Sequence, residues 1–196
     1  MIGAARTGRY DRFSAAIHWL VTALVGVQLV LGVTFHMMPY GPVRNGWFAW
    51  HRTIGPVILV LVVTGWVRRI RRPPPPLPAT FPRWQARAAG VVHAALAALL
   101  IALPLTGWVA VSAWKDPGGS GSFIGGIAMP LIPGVSYDAG NFAESLHKLF
   151  VTLFSWLLAL HVAAALWHQR RSAALRGRMP PLPQGQVAAS SSASSP

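Results

Sequence analysis

Four histidines, His18, His51, His147 and His161, stand near the ends of long apolar segments. A titratable ring at hydrocarbon depth is costly unless something binds it. His147 and His161 are fourteen residues apart on one segment. That is almost a whole number of helical turns, so both rings leave the same face, roughly 21 Å apart along the axis. Imidazole is a good ligand for iron, copper, nickel and zinc. Two such ligands at two depths on one face suggest two metal centres stacked across a membrane.

The elements that position these rings follow from hydropathy. Residues 14–35, 47–67, 89–113 and 145–167 are each apolar enough to cross a bilayer, which takes about 20 residues. The expected fold is all-α, an integral membrane four-helix bundle over residues 1–171, with a disordered Pro-, Ala- and Ser-rich tail at 179–196. With 53% hydrophobic and 11% charged residues, the 196-residue chain has the composition of a small membrane protein. The first apolar run is followed by His36, Met37 and Met38 instead of a small-residue cleavage site, so it reads as a permanent span.

The formal charge of +13 could indicate a nucleic-acid partner, but its distribution argues otherwise. The basic residues flank the apolar segments, where a nucleic-acid binder would spread them over one soluble face. Of seventeen basic residues, all but Arg44, Arg52, Lys115 and Lys148 fall before the first span, between the second and third, or after the fourth. The positive-inside bias therefore places both termini in the cytoplasm. The chain has no cysteine, which excludes thiolate-bound clusters, covalently attached haem and disulfides.

Topology turns sequence position into depth. His18 and His161 share a depth near the cytoplasm; His51 and His147 share one near the opposite face. Two histidine pairs at two depths are what two bis-His haems in a four-helix bundle require. Any one of these rings, taken alone, reads more simply as an interfacial or core histidine; the joint pattern favours ligation. By spacing alone His36 could compete with His51, but it falls at the very end of its span. His93 is a core histidine or a quinone- or proton-handling residue, with the first favoured, and His168 is interfacial. Arg52 and Lys148 immediately follow the outer histidines, where they could hold haem propionates or simply snorkel to the interface. Gly32, Gly55, Gly65 and Gly107 permit close approach of helices or a macrocycle, and the tryptophans form an ordinary interfacial belt. The tract Pro73–Pro78 is a stiff spacer. The outer connection over 114–142 is a lid on the membrane surface or a mobile connector.

The motifs resemble those of bacterial cytochrome b561 proteins. They are the stretch 9–20 (RYDRFSAAIHWL), 50–55 (WHRTIG), 102–108 (ALPLTGW), 144–148 (ESLHK) and 160–166 (LHVAAAL), in family order. The resemblance implies a four-helix protein of the bacterial inner membrane with two non-covalent b-type haems. Residue by residue, it gives His18 and His161 to the inner haem and His51 and His147 to the outer one. It also settles the competition between His36 and His51 in favour of His51. Bis-His iron has no open position and favours electron transfer over oxygen activation. The function expected is transmembrane electron transfer between the quinone pool, with ubiquinone as a candidate, and a small periplasmic donor or redox partner. Superoxide is one anionic candidate donor, with Lys115, Arg52 and Lys148 as cations near its entry. The alternatives are a haem-bearing anchor subunit of a dehydrogenase or hydrogenase and, less favoured, a haem-free small transporter. The catalytic residues and the oligomeric state are left open.

Overall fold

The computed structural model describes residues 11–73, 82–113 and 121–171. They form four helices: α1 (Arg12–Met37), α2 (Pro42–Arg71), α3 (Arg83–Ala113) and α4 (Tyr137–Arg171). Each is long and apolar enough to span a membrane. α2, α3 and α4 each start more than a turn before their apolar stretches, because backbone hydrogen bonding continues past the hydrocarbon edge. The expected tail at 179–196, the spacer beyond Pro73, and Lys115 lie outside the described residues.

Local chemistry sets the helix starts. Asp11 caps α1, its side chain accepting from the Ser14 N–H at 3.1 Å. Pro42 opens α2, where its missing N–H costs nothing. Ser136 starts α4 several residues before the apolar run: its carbonyl accepts from the Gly140 N–H and its hydroxyl from the Ala139 N–H. The connection expected over 114–142 therefore ends earlier than hydropathy alone suggests.

One end of the bundle carries the starts of α1 and α3 and the ends of α2 and α4. It is the basic end, and a latch ties its first two helices together. Arg68 of α2 donates to the Asp11 carboxylate at 2.6 Å and to the Ser14 hydroxyl at 3.2 Å. Partial burial opposes ionisation of Asp11, but bonds from Ser14 and Arg68 outweigh it and hold the carboxyl at about 2, against an ordinary 3.8. A depressed folded-state pKa gives stability that is present above the unfolded value and lost as pH falls toward the folded one. In thermal melts, an Asp11→Asn variant is therefore expected to lag the parent above about pH 4 and to converge with it as pH falls through about 2. A gap that is constant over that range contradicts the latch.

The helices pack in chain order, α1 on α2, α2 on α3 and α3 on α4, and among the described residues α4 makes no Cα approach within 8 Å to α1 or α2. The tightest crossing, α3 on α4, is built from small buried residues, Ala110 and Ala113 against Gly140. The core lies midway along the bundle: Val25, Ile58, Val62, Leu96 and Phe154. Phe154 is 3% exposed and sits seven residues from both His147 and His161, on their shared face.

The other end is closed by residues 121–133. A small hairpin pairs Ser122 with Ala128 and turns through Gly125 and Gly126, both at positive φ. It docks on the bundle through Ile124 N–H to Thr53 Oγ1 (3.1 Å), Trp108 Nε1–H to the Pro130 carbonyl (2.6 Å) and Ile132 N–H to Ser112 Oγ (3.0 Å). Of the two readings of this connection, the described part fits a lid. Trp108, read as an interfacial residue, is one of its anchors.

Candidate functional site

The fold brings the four histidines together as two pairs. At the basic end, the ring centres of His18 (α1) and His161 (α4) are 6.5 Å apart. At the lid end, those of His51 (α2) and His147 (α4) are 6.2 Å apart. Two imidazoles that grip one metal from opposite sides, with metal–nitrogen bonds of about 2.0 Å, have ring centres roughly 6.3 Å apart. Both pairs therefore stand at the span of one iron. Both also reach across gaps where the helix backbones do not meet.

The lid-end pair is the better buttressed. His147 donates from Nδ1 to the Leu103 carbonyl at 2.9 Å, with Thr106 Oγ1 3.3 Å away. That bond fixes the proton on Nδ1 and leaves Nε2 with its lone pair free to ligate. Gly107 and Gly32 flank the two rings: a Cβ on Gly107 would lie 3.4 Å from His147 Cε1, and one on Gly32 3.5 Å from His51 Cε1. Neither helix fills the space beside the ligating edge. Phe35 packs edge-on against His51 at 5.2 Å, and Phe48 stacks on it at 6.5 Å.

The two cations behave differently. Arg52 is 6% exposed, with its guanidinium 4.4 Å from the centre of the Phe48 ring and with Nε and Nη1 buried and unpartnered. It does not snorkel to the interface. Instead it borders an open pocket of about 660 Å³ between α2 and the lid, lined also by Trp50, Ser122 and Gly125. Lys148 is exposed and paired with Glu144 at 2.7 Å, one turn away.

These features select among metals. Among the described residues no three His, Cys, Asp or Glu side chains converge as ligands, whereas a protein-held zinc takes three or four. Paired histidines alone suit a metal that brings its own equatorial ligands. The sequence of residues 9–179 matches the prokaryotic cytochrome b561 family. The chain belongs to that family. Similar proteins include "Cytochrome b561 homolog 2" of Escherichia coli (strain K12), 31% identical over 170 residues, covering 82% of this chain and 84% of that one. "Cytochrome b561 homolog 1" of the same organism is 26% identical, with 82% and 89% covered. "Probable superoxide oxidase CybB" of Yersinia pestis is 27% identical, with 82% and 88% covered. Cytochrome b561 membership makes this a multi-pass bacterial membrane protein that binds b-type haem and serves electron transfer.

Two further residues stand beside the pairs, and of these sequence reasoning passed over only Gln28. The ring centre of His93, on α3, lies 5.1 Å from that of His161, beside the basic-end pair. Gln28, midway along α1, donates through Nε2 to the His51 carbonyl at 2.8 Å. A lone carboxamide inside a 26-residue apolar helix was the available signal.

Proposed function

We propose that this protein carries electrons across the bacterial inner membrane through two bis-His b haems, one held by His18 and His161 and the other by His51 and His147. The observation that carries this reading is the pair of ring separations, 6.5 and 6.2 Å, at opposite ends of one helix. When bound, haem iron with two imidazoles supplies one-electron storage without an open position for oxygen. The chain's own residues orient it. Leu103 fixes the His147 tautomer, Arg52 offers two buried donors to a propionate, and Phe154 with its apolar neighbours keeps water out of the interval between the pairs. The basic end faces the cytoplasm by the positive-inside rule, and quinone exchanges electrons with the chain from the lipid. The pocket beside Arg52 suits a small anionic periplasmic donor. Superoxide, which the name of the Yersinia pestis relative indicates for that protein, fits it: loss of one electron leaves dioxygen.

The test is the haem content and the reduced-minus-oxidised spectrum of detergent-purified protein. The expected result is about two acid-extractable b haems per chain, both low-spin. Colourless protein from haem-sufficient cells would overturn the reading.

A further inference from the structure

Among the described residues four buried side-chain atoms have no hydrogen-bond partner: Gln28 Oε1, His51 Nδ1, Arg52 Nε and Arg52 Nη1. Only Gln28 Oε1 is obligatorily an acceptor. When a metal takes Nε2 of His51, Nδ1 must carry the proton and becomes a donor. A buried donor and a buried acceptor are both costly when left unmade, so two at one helix crossing should close on each other.

Both atoms belong to the same α1–α2 crossing. Gln28 and Gly32 are one turn apart on α1, and His51 and Gly55 are one turn apart on α2. These two faces meet. A Cβ on Gly32 would lie 3.5 Å from the His51 ring, and one on Gly55 3.6 Å from Gln28 Nε2. The Gln28 carboxamide is anchored by its bond to the His51 carbonyl. That carbonyl is one residue before the one that Pro56, lacking an N–H, leaves without its usual helical donor. Arg52 points elsewhere, over Phe48 and toward the lid pocket, so it does not compete for the amide oxygen.

We infer that Gln28 is a positioning residue for the lid-end metal centre, its Oε1 accepting from His51 Nδ1–H as the Leu103 carbonyl accepts from His147. The inference rests on the haem reading above. Such outer partners fix ring orientation and raise ligand basicity, and losing one typically costs about 10–100-fold in metal affinity. A more basic imidazole favours ferric iron. Removing the acceptor should therefore shift the lid-end couple toward the reduced form.

The experiment is an equilibrium redox titration with electron paramagnetic resonance on detergent-purified wild type, Gln28→Met and Gln28→Glu, with the basic-end haem as internal reference. Gln28→Met keeps length but removes both polar atoms. It is expected to raise the reduced-to-oxidised ratio of the lid-end haem about tenfold at a fixed potential, equivalent to about 59 mV for one electron, and to weaken retention of that haem about tenfold. Gln28→Glu, protonated at this depth, can still donate to the His51 carbonyl and accept from Nδ1–H, and should restore both quantities to within about twofold of wild type. Should Gln28→Met not accumulate, Gln28→Leu is read against the same thresholds. A lid-end haem with unchanged potential and g-values in the apolar variant, beside a two-haem wild type, overturns this assignment alone. A wild type without haem overturns the underlying reading and this assignment with it.

Discussion

Alanine at His147 is expected to leave about one b haem per chain where the parent has about two, and to stop electron passage across the bilayer. The remaining centre should be the basic-end one, since His18 and His161 are on other turns and make no use of the Leu103 carbonyl. His18→Ala should produce the complementary loss and keep the lid-end centre, whose His147 tautomer is fixed independently at 2.9 Å. The measurement is haem stoichiometry with separate redox titrations of each variant, followed by reduction of an enclosed dye in vesicles by an external donor. Loss of both haems in each single variant would mean that the pairs do not act separately. Two haems retained in either variant would assign the ligands elsewhere.

The second large effect is structural. Gly140→Val is expected to drive α4 off α3 at the lid end. A Cβ on Gly140 would collide with Cβ of Ala113, and it would lie 3.4 Å from the Ala110 carbonyl oxygen. These are backbone-near atoms with no rotamer to yield, so the helices must separate. Overpacking of this kind costs about 1–3 kcal/mol, and more where relief needs a backbone shift. His147 is seven residues along the same face of α4, so displacement should also break its bond to Leu103. The expected outcome is a lower melting temperature together with preferential loss of the lid-end haem, measured by thermal unfolding and haem stoichiometry. Equal loss of both haems, or a stable variant with both, would contradict this. Gly90→Val, at a position with no neighbour within 4 Å of the added Cβ, is the control and should change neither.

Much of this arrangement was legible in the sequence because membrane physics constrains it so tightly. Uninterrupted apolar stretches mark the spans, and the asymmetric arginines fix their alternation. Alternation alone then equalises the depths of His18 and His161 and of His51 and His147. What depth cannot provide is azimuth. No periodicity shows that α4 would answer α1 at one end and α2 at the other while approaching neither backbone, or that His93 of α3 would lie beside His161. Gln28 escaped because its partner is a backbone carbonyl: a lone carboxamide in an apolar helix signals the need for a partner without naming it. The start of α4 was missed because hydropathy reports the membrane edge, whereas Ser136 reports the helix start. The pocket beside Arg52 depends on a lid folding back over α2, a long-range event invisible in a linear reading.

One helix carries a histidine of each pair, with Phe154 halfway between. The axial spacing of the two histidine pairs is thus set by the rise of an unbroken α-helix, about 1.5 Å per residue, and not by how neighbouring helices settle. α4 behaves as a ruler.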